Sequence, residues 1–226
     1  MNLFPGEKWK TSYPGAHVGV LAMSGVANPS FHPGLEERKR ELETGLRAVY
    51  AGLDRPALDA IPILQAYNAY YKPFKKTYHV QLQLESILFK AKSLPTVAAL
   101  VEAMFMAEIK NLLLTAGHDM DVVLEPLLLD IAAGDESYVL LRGQQQLLKP
   151  GDMYIADASG VISSILYGPD QRTQISPHTQ NVLFTVYAPP GIPAASVVTH
   201  LEDIRDLVRL VAPEAQTRGL EVVTAG

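Results

Sequence analysis

The sequence contains no cysteine, which removes disulfide frameworks, thiolate nucleophiles and zinc ribbons together. It has no uninterrupted apolar run of the ~18 residues that a membrane-spanning helix needs. Its opening, MNLFPGEKWK, lacks the apolar stretch behind a basic end that marks a secretory signal. A cytoplasmic protein with no membrane partner is the expectation. Strong net charge is also missing: the 226 residues sum to −5, which argues mildly against nucleic acid. Phosphate-cradling GxxxxGKS and GxGxxG loops are absent, as is the Gly-x-Ser-x-Gly elbow of strand–helix hydrolases.

What is present is ordinary globular material, 48% hydrophobic and 19% charged, enough to bury a sizeable core. The small net charge hides a segregation. From Lys72 to Lys92 five lysines face one acid, Glu85, a local +4 that leaves −9 on the remainder. His118 to Glu136 carries six acids and no lysine or arginine. Screening acts over about 8 Å at physiological salt, so a basic segment on an acidic body can still hold a polyanion; a solvated helix face is the plainer reading.

The first 30 residues read as one short buried strand, Gly19 to Met23, between turns. After Pro33-Gly34, Leu35, Leu42, Leu46, Val49 and Leu53 fall on one helical stripe, with the charges of EERKRELE filling the other faces. A second helix runs from Ala57 to about Tyr71, ended by Pro73, and a third covers Val80 to Phe89. Thr96 is placed to cap a buried helix from Val97 to Leu114. Beyond Gly117 the apolar runs become short and strand-like at 127–131, 138–141, 153–155, 161–167 and 182–187. Turn signals at Gly134-Asp135-Glu136, Arg142-Gly143-Gln144 and Asp157-Ala158-Ser159-Gly160 separate them. Ala194 to Val211 is a last amphipathic helix, and residues 220–223 fit a final strand. The expectation is an α+β fold, one domain over 1–226, with the first-half helices packed on a largely antiparallel meander.

His118-Asp119-Met120-Asp121 invites a metal reading, but the other histidines lie far off in sequence and an acid-rich capping loop explains it more simply. No metal and no cofactor is expected. The order of pieces says more. Tyr71-Lys72-Pro73-Phe74-Lys75-Lys76, Leu84-Glu85-Ser86, Ser93-Leu94-Pro95, a buried helix bearing Asn111, His118-Asp119-Met120-Asp121, Gly134-Asp135-Glu136 and a strand-ending Asp157 follow in sequence. Ser164-Ile165-Leu166-Tyr167-Gly168-Pro169-Asp170 and Thr179-Gln180-Asn181-Val182-Leu183-Phe184 complete the series. From about Tyr67 to Ala188 this resembles the B3/B4 editing domain of the phenylalanyl-tRNA synthetase beta subunit, in its free-standing form.

That resemblance implies hydrolysis of mischarged aminoacyl-tRNA by a positioned water, without ATP and without a covalent nucleophile. It makes Asp170 the counterpart of the family's amino-acid-recognising carboxylate. Pro169 and the change from Glu to Asp depart from the synthetase pattern, which leaves the edited amino acid open. His118, shifted in register, stands near the family's pocket histidine, and Thr173 and Thr179 offer hydroxyls. Asn111, Asp119, Tyr167 and Gly168 would complete the pocket. A strand-pairing role for Thr179 and a structural role for Asn111 fit the sequence equally well. Lys72, Lys75 and Lys76 would contact the tRNA acceptor end, with Tyr78 available to stack on a base. A non-catalytic RNA-binding module and a small-molecule binder reusing the pocket are the rival readings. The oligomeric state is not legible.

Overall fold

The structure, a computed structural model, describes residues 2–226. After β1 (Leu3–Pro5) and α1 (Glu7–Ser12), the chain forms β2 (His17–Ser24), then four helices: α2 (Pro33–Val49), α3 (Arg55–Asp59), α4 (Pro62–Tyr71) and α5 (His79–Lys90). Helix α6 (Ala99–Asn111) leads into β3 (Leu114–Asp119). The strands β4 (Leu127–Ile131), β5 (Ser137–Val139), β6 (Gln145–Leu147), β7 (Met153–Asp157), β8 (Gly160–Ser164), β9 (Gly168–Pro169) and β10 (Asn181–Ala188) follow, closed by α7 (Ala194–Val211) and β11 (Gln216–Thr224). The α+β class holds. The meander is confined to part of one sheet, ordered β1-β4-β7-β8-β9; a second runs β11-β2-β10-β3, and β5-β6 is a separate hairpin. Only β1 and β4 pair in parallel among the described strands. No helix among the described residues is long and apolar enough to cross a membrane.

The four-stranded sheet is the centre of the molecule. Its strand β2 is buried almost throughout and lies between β10 and β11, which explains its unbroken apolar run. Helix α7 lies directly on it: a Cβ on Gly19 would sit 2.5 Å from Val197 Cγ1, so glycine is required for this approach. Helices α6 and α2 continue that layer. On the opposite face, Tyr187 of β10 reaches Ser163 Oγ of β8 at 2.6 Å, tying the two sheets together. Tyr67, Tyr70, Tyr71 and Tyr78 fill one end of the core, and the Tyr70 hydroxyl donates to Asp152. Tyr67 and Tyr78 stack with centroids 4.0 Å apart, while the Tyr71 and Tyr78 hydroxyls donate to the carbonyls of Ile165 and Leu112. Each buried phenol thus keeps a partner, as burial demands.

Several expectations change. The stripe helix stops at Val49, leaving Val49 and Leu53 exposed, whereas Lys39 and Glu43 from its charged run are buried. Lys39 Nζ reaches Glu102 Oε1 at 2.7 Å and Thr96 Oγ1 at 3.0 Å, and the Glu43 carboxylate accepts from Leu94 N. Thr96 therefore serves Lys39 and not a helix end. Helix α6 starts at Ala99, where Asn28 Oδ1 accepts from Leu100 N across 72 positions of sequence, a cap that no local pattern announces. The helix ends at Asn111 because Leu112 adopts φ 59°, and of the apolar residues expected to continue it only Leu114 enters β3. The second helix is broken at Ala60-Ile61 into α3 and α4, with Pro62 opening the latter. Gly134-Asp135-Glu136 is not a hairpin turn, since β4 and β5 belong to different sheets; the Glu136 carboxylate instead accepts from Ala133 N and Gly134 N. The turns at Gly143 and at 157–160 form as expected.

Candidate functional site

Strand β3 is an edge of its sheet, and beside it opens a cleft of about 370 Å³. Its lining is mostly apolar: Val101, Met104 and Phe105 from α6, Leu166 and Tyr167 from the β8–β9 turn, Ile175, and Leu141 from beyond β5. Polar groups are few. Glu108 and Thr115 stand at the α6–β3 side, with Gln174 and His79 elsewhere on the wall. Gly117 keeps the space open, because a Cβ there would come within 2.7 Å of Ile175 Cδ1. Gly168, at φ 80°, makes the turn that brings Tyr167 and Pro169 to the opening.

Glu108 carries the chemistry of this cleft. Burial pushes its carboxyl up to about 8, against the opposing effect of Thr115 N–H, which it accepts at Oε1 over 2.8 Å. Behind Thr115 runs a polar chain. Thr115 Oγ1 lies 2.6 Å from His200 Nε2, and His200 Nδ1 lies 3.3 Å from Asn111 Nδ2. Asn111 donates to Asp203 Oδ2, whose Oδ1 accepts from Lys110 Nζ. Burial pushes His200 down to about 3, so its ring is neutral.

The expected pocket residues divide into groups. Tyr167 and Gly168 line the cleft. Asp170, Thr173 and His118 do come together, yet all three are buried and none lines it. The Thr173 hydroxyl donates to Asp170 Oδ1, and His118 Nδ1 lies 2.7 Å from Thr173 Oγ1. With Asp170 ionised, His118 must donate through Nδ1, and its buried Nε2 is left with no partner among the described residues. Burial pushes His118 down to about 3. It raises Asp170, with the Thr173 hydrogen bonds opposing. Arg172 closes the network onto Asp157 at 2.8 Å. His118 and Asp119 belong to β3 and not to a capping loop. Asp119 Oδ2 accepts from Thr179 Oγ1 at 2.6 Å, a local clasp next to β10. Asn111 sits on the α6–α7 contact, away from the cleft lining.

One lysine of the basic segment reaches a cleft residue. Lys76 Nζ stands 4.2 Å over the Tyr167 ring, a cation–π contact, and Lys72 and Lys75 are exposed. Tyr78 is corrected: it is wholly buried, stacked on Tyr67 and bonded to Leu112 O, and offers no face to a base. Partly buried Phe74 lines a separate groove with Tyr13, Lys75 and Lys149. Glu108, Thr115 and His200 were missed from sequence. An acid isolated within MFMAEIKNLLL was the available signal for Glu108. Nothing local ties His200 to Thr115, 85 positions away. Among the described residues no three His, Asp or Glu side chains come close enough to hold a metal.

No family model matches the chain. A stretch of 69 residues, 30% of the chain, is 32% identical to part of the phenylalanine–tRNA ligase beta subunit of Mycoplasma genitalium, and the chain spans 9% of that protein. Among solved structures, an N-terminal fragment of the phenylalanyl-tRNA synthetase beta subunit from Pyrococcus horikoshii aligns with 98% of the chain at 14% identity and a TM-score of 0.47, over 50% of its own length. Both similarities are to segments of a phenylalanyl-tRNA synthetase beta subunit.

Proposed function

We propose that the chain is a free-standing B3/B4-like domain that hydrolyses mischarged aminoacyl-tRNA in trans. The observation that carries this reading is the contiguity of a largely apolar cleft with a lysine-bearing segment, joined where Lys76 covers Tyr167. The resemblance and the local identity to a tRNA ligase subunit support tRNA as the polyanion. An acceptor end held by Lys72, Lys75 and Lys76 would present its terminal ester at Tyr167. The amino-acid side chain would then enter among Met104, Phe105 and Leu166. Glu108, protonated in the free cleft, would ionise as the substrate's ammonium arrives, because a cation at contact distance offsets desolvation of the carboxylate. Water attacks the ester carbonyl carbon, the bond from that carbon to the ribose oxygen breaks, and the proton lost by water ends on the ribose oxygen. Asp170, Thr173 and His118 act in this scheme as positioning residues, fastening the segment that turns Gln174 and Ile175 into the cleft.

The test is incubation of the purified chain, without ATP, with a panel of mischarged tRNAs. Release of amino acid is expected, cut at least tenfold by Glu108→Gln. Salt-sensitive tRNA binding with every ester intact would leave an RNA-binding module instead, and indifference to tRNA would leave a small-molecule site.

A further inference from the structure

We propose that Thr115 donates the hydrogen bond that stabilises the developing oxyanion in the cleft, its hydroxyl aimed there by His200 and Asn111. This deepens the deacylase reading and rests on it. The direction of the hydroxyl follows from donor and acceptor accounting. Asp203 accepts from Asn111 Nδ2 at 2.8 Å, which fixes the amide orientation, since the reverse would set its oxygen against a carboxylate. One amide hydrogen goes to Asp203, and the other faces His200 Nδ1 at 3.3 Å. A nitrogen facing a donor must accept. The neutral ring then carries its proton on Nε2 and donates it to Thr115 Oγ1 over 2.6 Å.

That leaves the Thr115 hydroxyl with its own hydrogen and no acceptor for it among the described residues. Thr115 lines the cleft next to Glu108, whose Oε1 takes its backbone N–H. A substrate ammonium at Glu108 therefore sets its ester carbonyl beside this unused donor, because ammonium and carbonyl flank one carbon. As water adds, the carbonyl π electrons move to oxygen, and the hydroxyl meets the charge that forms. A donor oriented before the reaction needs no reorganisation during it. The ring's backbone hydrogen bond with Ala107 is the contact that would favour the opposite tautomer, in which Nε2 draws the Thr115 hydrogen inward and makes the hydroxyl a nucleophile.

Single-turnover deacylation by the full chain separates these cases. Thr115→Val, nearly isosteric, should slow hydrolysis about 100-fold or more while tRNA affinity stays within twofold. Thr115→Ser should keep the rate within about tenfold. His200→Leu should be slow and His200→Gln, whose amide can donate in place of Nε2, faster than it. ¹⁵N spectra of the wild-type protein should show His200 protonated at Nε2, a readout independent of turnover. Thr115→Val hydrolysing at the wild-type rate, an acyl group accumulating on Thr115, or His200 protonated at Nδ1 overturns the assignment. Wild-type protein that leaves every ester intact is the separate result that overturns the deacylase reading and this one with it.

Discussion

The Glu108 carboxyl, buried beside the backbone of Thr115, holds its proton up to about pH 8, whereas the ordinary value is 4.5. Between those two values the folded state binds more protons than the unfolded one, so folding stability must fall as pH rises across that interval. Its limiting slope is about 1.4 kcal/mol per pH unit. Glu108→Gln, which keeps the acceptor for Thr115 N–H, should flatten the decline between pH 5 and pH 8 in urea-denaturation series (~1.4 kcal/mol per unit at most). An unchanged slope would show that the carboxyl is ionised in the empty cleft. His118 and His200 act in the other direction and lower on the scale: both are pushed down to about 3 from 6.5, so they cost stability as pH falls below 6.5. At this scale the sequence was partly legible. The resemblance named Asp170, Thr173 and His118 together as site residues. It did not reveal that the three bury one another, because burial depends on the 170–175 segment folding back over β3. Tyr78 carries the same lesson: an aromatic next to lysines looks like a stacking surface until Tyr67 covers it.

Elements were most legible where amphipathic periodicity was strong, as in α2 and α7, and least where apolar residues ran together. The run from Val97 to Leu114 reads as one buried helix because it is apolar on several faces, and only the left-handed Leu112 divides α6 from β3. Close packing of elements gives a prediction of its own. Gly19→Ala would push a methyl group to 2.5 Å from Val197 Cγ1 and 2.9 Å from Leu201 Cδ1, both on α7. Such overpacking should cost about 1–3 kcal/mol, read as a lowered denaturation midpoint at constant m. Gly45→Ala on α2, where nothing lies within 4 Å, should instead add about 0.5–1 kcal/mol through helix propensity. If both substitutions behaved alike, the α7–β2 contact would not be the reason for glycine at position 19.

Across the whole molecule, charge and topology are organised independently. The lysines of 72–76 lie on a body that is otherwise acidic, so the tRNA binding proposed above should weaken as salt rises. Lys75→Glu with Lys76→Glu should lower the slope of log affinity against log salt by about 1–2, roughly 0.7–0.9 for each phosphate that a lysine no longer neutralises. An unaltered slope would put the RNA contact elsewhere. Topology was the least legible scale, because strand order depends on pairings between distant segments. β2 (residues 17–24) pairs with β10 and β11, and the backbone of Gly15 and Ala16 meets Ala225. During synthesis, therefore, the strand HVGVLAMS emerges early and waits for partners more than 150 positions behind it, on the order of 10–30 s at ribosomal speed. For that interval a largely apolar strand of eight residues is a nascent segment without a sheet, and keeping it from other chains falls to the ribosome surface and to chaperones.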